Sequence, residues 1–257
     1  MESKKILDLF KLDGKVAIVT GAARGLGQAI ATALASAGAD IVAVDVLPTD
    51  ETRRIIEKMG RKALGLSANL MEKASIAPLV KSALKEFGHI DILVNNAGII
   101  RRAPITEFSE KDWDDVINLN QKAVFFLSQA VAKTMIEKGK GGKIINIASL
   151  LSFQGGILVP SYTASKSAVM GLTRALANEL APHRITVNAI APGYMATDNT
   201  AALRADPKRS QAILERIPAG RWGEPADLQG VAVFLASAAS DYMNGYTIAV
   251  DGGWLAR

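Results

Sequence analysis

The chain reads as a single-domain α/β protein: a Rossmann-type, doubly wound parallel sheet of about seven strands with helices on both faces. Three observations carry this. Short apolar runs such as Val16-Ala17-Ile18-Val19 and Ile41-Val42-Ala43-Val44 show no polar alternation, as expected of strands covered on both sides. Apolar residues at helical spacing separate those runs, giving the strand–helix–strand order of a parallel sheet. A glycine-rich turn joins the first strand to the first helix.

Taken in order, the first strand ends in Thr20-Gly21-Ala22-Ala23-Arg24-Gly25-Leu26-Gly27. Leu26, Ile30, Ala33 and Leu34 then recur at helical spacing until Gly38, and the second strand ends at Asp45. Further strands are expected at 63–67, 92–94, 143–148, 186–190 and 247–250. Helices are expected at 75–87, 111–138, 161–180 and 225–235, and residues 139–142 make a helix-to-strand turn. The exception is 191–221, polar and carrying Pro192, Pro207 and Pro218. It is expected to be an irregular insertion, a substrate lid within one dinucleotide-binding and catalytic domain spanning 1–257.

Composition excludes several function classes. Hydrophobic residues at 49% of 257 supply a sizeable core, yet no apolar run is long enough to span a membrane. The start, Met1-Glu2-Ser3-Lys4-Lys5-Ile6, mixes charges and lacks an apolar leader core. The absence of cysteine removes disulfides, thiolate metal sites and cysteine nucleophiles, and fits a reducing cytoplasm. His89 and His183 have no ligand spacing, so no metal is expected. The net charge of +5 suits anionic small molecules, whereas Lys and Arg interspersed with acids argue against nucleic acid.

The glycine turn, spaced G-x-x-x-G-x-G, allows backbone N–H groups to approach a pyrophosphate at a helix N-terminus. Asp45, at the end of the second strand, can accept from both ribose hydroxyls of NAD and repels the 2′-phosphate of NADP. Arg24 pulls the other way, since a cation here could pair with that phosphate. NAD is the expected cofactor, with NADP as the alternative. Asn95-Asn96-Ala97-Gly98, ending the fourth strand, forms the other wall of a dinucleotide crevice.

Ser149 ends an apolar strand, and Tyr162 and Lys166 lie four apart on one helical face. An ammonium beside a phenol stabilises phenolate and lowers the tyrosine's pKa, which suits acid–base work on an alcohol or ketone.

Together the 20–27 turn, 95–98, Asn120, Ser149, Tyr162/Lys166 and Pro192-Gly193 resemble the short-chain dehydrogenase/reductase family across essentially the whole chain. The resemblance implies that Tyr162 is the general acid or base and that Lys166 holds the nicotinamide ribose and depresses the tyrosine's pKa. Ser149 would orient the substrate oxygen, and Asn120 would hold a water that extends a proton relay. It implies cofactor contacts at Gly21, Arg24, Gly25, Leu26, Gly27, Asp45, Asn96, Ala97, Gly98, Tyr162, Lys166, Pro192, Gly193 and Thr197. Asn69, before Leu70, stands where the family usually has an aspartate against adenine, so the charge there is lost while an acceptor oxygen is kept.

Segments 99–102, 149–156, 191–197, 216–223 and 244–257 resemble one branch of the family, which interconverts a C5 ketone and alcohol on a six-carbon sugar acid of uronate breakdown, with NAD(H). That implies an anionic substrate contacted by Ser149 and Tyr162, with Arg101 or Arg102 on the carboxylate and Gln154 on the hydroxyls. The same tetrad would serve gluconate 5-dehydrogenation or 3-oxoacyl carrier protein reduction, and an idle dinucleotide-binding regulator would share the crevice. The family also implies a homotetramer built through helices 111–138 and 161–180, whose Val124, Phe125, Leu127, Val169, Met170 and Leu172 exceed one buried stripe.

Overall fold

Seven strands, all parallel, form one sheet in a computed structural model describing residues 5–257. Residues 1–4 of the amino-terminal stretch read above lie outside the described residues. The strands are β1 (Val16–Thr20), β2 (Asp40–Asp45), β3 (Ala63–Ser67), β4 (Ile92–Asn95), β5 (Gly142–Ile147), β6 (Ile185–Pro192) and β7 (Thr247–Val250). The α-helices are α1 (Gly25–Ser36), α2 (Asp50–Lys58), α3 (Ile76–Phe87), α4 (Glu110–Ile117), α5 (Ala123–Lys138), α6 (Pro160–Leu180), α7 (Ala201–Ala205), α8 (Pro207–Arg216) and α9 (Gln229–Ala236).

Successive strand residues face opposite sides of a sheet. Ala17, Val19, Ile41, Ala43 and Val94 therefore pack with Ile30 and Leu34 of α1 and Leu235 of α9. Val16, Ile18, Val42, Val44 and Leu93 pack on the other side against Leu79 of α3, Leu127 and Val131 of α5 and Leu176 of α6. Two cores on two faces are why the strands lack polar alternation.

Strand order is β3-β2-β1-β4-β5-β6-β7. The chain winds outward from β1 to β3 and then crosses back to set β4 beside β1. The loops leaving β1 and β4 diverge, which opens a crevice at the carboxyl ends of these strands. A buried polar chain fixes the elements around it. Asn95 Nδ2 donates to Ser128 Oγ (2.9 Å) and Asn146 Oδ1 (2.8 Å), and Asn146 Nδ2 donates to Thr173 Oγ1 (3.0 Å). These bonds tie β4, β5, α5 and α6 together with each polar group satisfied.

Three elements depart from expectation. Helix α2 was not foreseen because only Thr52 and Ile56 are buried, too thin a stripe to signal a period; Asp50 and Glu51 in its first turn and Lys58 in its last complement the helix dipole instead. The helix expected at 111–138 is interrupted by a π-helical turn at Asn118–Lys122. The wider turn shifts the phase of the helix and carries Asn120 fully inward. Segment 191–221 is not irregular: Ala191 and Pro192 complete β6 opposite Ala249 and Val250, and α7 and α8 occupy most of the remainder. Pro207 opens α8 instead of breaking it, since a first-turn proline forfeits no helical hydrogen bond, and the Asp206 side chain caps the helix by accepting from Arg209 N (3.1 Å). Among the described residues no helix is long and apolar enough to cross a membrane.

Candidate active site

The crevice at the carboxyl ends of β1 and β4 begins with the glycine turn. Gly21 and Gly25 have φ of +66° and +58°, and a Cβ on Gly27 would overlap the Gly21 carbonyl. The turn is stapled to the end of β4. Asn96 Nδ2 donates to Thr20 O (2.8 Å) and Gly21 O (3.2 Å), and Thr20 Oγ1 accepts from Asn96 N and Ala97 N (both 3.0 Å). Asp45 closes one end, its carboxylate accepting from Ala23 N and Leu47 N (both 3.0 Å). Bare backbone beside a helix N-terminus, with an acid at the far wall, fits a dinucleotide.

The crevice, about 410 Å³, is lined by Gly21, Arg24, Gly25, Leu26, Gly27, Asp45, Asn69, Leu70, Asn96, Ala97, Gly98, Tyr162, Lys166 and Thr197 among others. Pro192 and Gly193 line the adjoining cavity instead. Arg24 is ion-paired with Asp198 (2.6 Å), bridging the turn and the start of the 191–221 segment, with both side chains exposed. Asn69 keeps its acceptor occupied by Met71 N (3.2 Å), while its Nδ2 donates to Glu72 (2.9 Å).

Tyr162 and Lys166 line the crevice, Ser149 lines the adjoining cavity with Tyr162, and Asn120 is buried beside Gly98 of the crevice wall, although they come from the end of β5, from α6 and from the π-helical turn. Ser149 Oγ accepts from Leu151 N (3.1 Å), and Ser149 acts on the Tyr162 phenol, favouring its ionised form. Lys166, 4% exposed, donates from Nζ to Ile147 O (2.5 Å), and Nζ lies 5.6 Å from the Tyr162 ring centroid. A Cβ on Gly98 would lie 3.2 Å from Asn120 Oδ1 and 3.7 Å from Lys166 Nζ, so a side chain there would crowd Asn120.

One expectation is corrected here: the Tyr162 pKa is not lowered in the chain itself. Burial holds the phenol above its ordinary value, opposed by the Ser149 hydrogen bond and the charge of Arg102. Burial also brings Lys166 down to about 8, and its Nζ donates to the Ile147 carbonyl. Asn120 spends its side chain on protein: Oδ1 accepts from Ile99 N (2.9 Å), while Nδ2 donates to Ile99 O (2.9 Å) and Ser165 Oγ (3.3 Å). Those bonds anchor the loop after Gly98.

A second cavity, about 460 Å³, adjoins the crevice at Tyr162 and Asn199, which line both. Arg102, Arg209 and Arg216 line it, and no Asp or Glu does. Gln154 reaches it with Oε1 accepting from Trp254 Nε1 (3.2 Å) and Arg216 Nη2 (3.4 Å). Arg101 turns away, paired with Asp112 (3.2 Å) and Asp115 (3.7 Å) of α4, and lines the crevice. Arg102 donates to Asn199 O (2.9 Å).

Sequence reasoning passed over Arg209, Arg216, Tyr194 and Trp254. The signal existed: residues 209, 212, 213 and 216 are spaced i, i+3, i+4, i+7, one face of a helix, and all four line the cavity. It went unread because the prolines marked the stretch as irregular.

Comparison with known proteins agrees with this geometry. The short chain dehydrogenase family profile matches residues 15–208. The 2-dehydro-3-deoxy-D-gluconate 5-dehydrogenases of Dickeya dadantii and Escherichia coli are each 66% identical over 252 residues, covering 98% of this chain and 100% of theirs. A crystal structure of a gluconate 5-dehydrogenase from Burkholderia cenocepacia in complex with NADP and tartrate superposes with a TM-score of 0.94. It is 42% identical and covers 98% of this chain and 100% of that one. The chain belongs to the short-chain dehydrogenase family and is a nucleotide-dependent oxidoreductase.

Proposed function

We propose that the protein interconverts 2-dehydro-3-deoxy-D-gluconate and its C5 ketone, using NAD(H). The observation that carries this reading is Tyr162, a half-buried phenol shared by a dinucleotide-shaped crevice and a cavity lined by three arginines and no acid. A carboxylate-bearing substrate would enter such a cavity favourably, and its C5 oxygen would meet Ser149 and Tyr162. The 66% identity to two enzymes of that name points the same way.

A nicotinamide bound in the crevice supplies the hydride acceptor or donor. On oxidation Tyr162 would take the hydroxyl proton as the C5 hydride passed to the nicotinamide, and on reduction it would return a proton to the carbonyl oxygen. Ser149 hydrogen-bonds that oxygen, and Lys166 binds the adjacent ribose. Asn120 and Gly98 keep the wall beside Lys166 in place.

For the cofactor, NAD is supported by Asp45, which lines the crevice and would repel a 2′-phosphate bound beside it, and by Arg24 being engaged by Asp198. Gluconate 5-dehydrogenation is the second reading, favoured by the relative crystallised with NADP and tartrate. Homotetramer formation is part of the proposal: Phe125, Met170 and Leu172 stay half-exposed on α5 and α6 although apolar, leaving a face for another copy.

A rate panel tests the substrate. It compares 2-dehydro-3-deoxygluconate, gluconate and simple secondary alcohols, each with NAD and with NADP; equal rates across the alcohols would undo the sugar-acid assignment. Asp45→Ala tests the cofactor. The ratio of kcat/KM for NADP over NAD is expected to rise about tenfold or more, the scale of a lost charge-assisted hydrogen bond and a removed repulsion. A wild-type enzyme already preferring NADP would overturn the NAD assignment.

A further inference from the structure

The arginines of the cavity differ in what they can do for a substrate. Arg101 is neutralised by Asp112 and Asp115 and faces the crevice. Arg102 donates to Asn199 O, where the cavity meets the crevice, and its charge acts on the Tyr162 phenol. Arg216 lies over Trp254, whose ring centroid is 4.6 Å from that of Tyr194, and Arg209 is on the same helix; burial pushes the Tyr194 phenol up and these two guanidinium groups bring it down. The cavity thus has a proton-transfer end and a separate cationic end.

Arg216 is held for a task at that end. Its guanidinium lies 4.0 Å over the Trp254 ring and donates to Gln154 Oε1 (3.4 Å). Stacking fixes the plane of the fork while leaving its edge free for a carboxylate. Arg209 is two turns earlier on the same face of α8. Among the described residues, neither is paired with an Asp or Glu, unlike Arg24, Arg101 and Arg221 in the same region. The main chain of α8 is pinned where Arg216 sits: Arg257 donates to Glu215 O (2.5 Å) and Arg216 O (3.2 Å), satisfying last-turn carbonyls that a helix leaves open.

We infer that α8 reads the substrate's carboxylate through Arg216 and Arg209, making these the residues that select sugar acids over neutral sugars. The inference rests on the sugar-acid reading above and sharpens it. A C1 carboxylate is four bonds from a reacting C5, so its partner is sought set back from Tyr162 in the same cavity. The arginine pair stands at the Tyr194 end, and Arg102, which donates to Asn199 O, is left to bias the phenol and hold that loop.

The test uses Arg216→Gln and Arg209→Gln, singly and together, on 2-dehydro-3-deoxygluconate, gluconate and the methyl ester of each. Wild type is expected to favour each acid over its ester, and raised salt should weaken that preference, because exposed charges are screened. In the double variant, kcat/KM for the acid should fall about tenfold or more through KM, with kcat and the ester rates close to wild type. Arg257→Ala, a positioning change, should raise KM for the acid in the same way by a smaller factor. Wild-type indifference between acid and ester, or an equal loss on both in the variants, overturns the inference. Turnover of gluconate alone, with the same arginine-dependent preference, removes the proposed substrate and leaves the inference standing.

Discussion

Tyr162→Phe is expected to lower kcat by roughly 10²–10⁴-fold in both directions, the usual range for loss of a positioned general acid–base. The ring is retained, so packing against Lys166 and the crevice wall is preserved while the phenolic oxygen goes. Ser149 keeps its bond from Leu151 N and cannot take over, because an alcohol hydroxyl is far too weak an acid. Cofactor affinity, followed through the fluorescence of bound reduced dinucleotide, should change little. Unchanged turnover would sink the enzymatic assignment. A pH profile adds a second reading of the same residue. With the phenol held above its ordinary value by burial, Tyr162 stands protonated as the acid for ketone reduction. Alcohol oxidation needs the phenolate, so it should climb with alkalinity while reduction does not; parallel profiles would contradict this.

Lys166→Met should separate stability from activity. Lys166 is buried, and its pKa of about 8 against an ordinary 10.5 means that holding the charged form inside costs about 3 kcal/mol at ~1.36 kcal/mol per unit. Removing the ammonium relieves that cost but leaves Ile147 O without its donor, a loss of about 1–3 kcal/mol. The variant is therefore expected to be as stable as wild type or more so at pH 7, while kcat/KM falls by orders of magnitude through lost cofactor positioning. The sign of the pH dependence follows from linkage. Below about pH 8 the folded chain carries the protonated lysine and the full cost; from about 8 to 10.5 the unfolded chain holds a proton that the folded one has released, so wild-type stability rises with pH. The methionine variant should lack this rise in denaturant titrations at pH 7 and 9.5. Tyr162, with its raised pKa, works in the opposite sense only above pH 10. A variant that melts far below wild type at pH 7 would show that the lysine is chiefly structural.

Stability and activity are expected to pull apart at Lys166 for a general reason: a charge that serves catalysis is useful where water is excluded, which is also where it is most costly to keep. The buried polar chain through Asn95, Asn146, Ser128 and Thr173 offsets part of this locally. It fixes the strand ends and helices from which the four site residues project, so the site is held by satisfied hydrogen bonds and not by the charge itself.

All seven strands were legible in the sequence: the five inner ones because a strand covered on both faces is apolar over four or five residues, the part-buried edge strands β3 and β7 because they too are short apolar runs. The glycine turn, Asp45, Asn96, Ser149, Tyr162 and Lys166 were legible for a related reason: each needs a particular side chain at a fixed step from a strand end or along one helical face. Helix α2 and α8 were not, since one buries almost nothing and the other begins with a proline that reads as a breaker. The π-helical turn that carries Asn120 inward was equally hidden, because a single widened turn leaves no mark on residue spacing. Which arginine faces which cavity could only be decided in three dimensions. Arg101 and Arg102 are neighbours in the chain but go to different partners, whereas Arg102 and Arg216 are far apart in the chain yet line one cavity. Local periodicity and turn chemistry act over a few residues and determine the elements from the sequence alone. Charge pairing and desolvation depend on what the folded chain brings alongside, so the state of Tyr162 and Lys166, and the cationic end of the substrate cavity, belong to the tertiary structure.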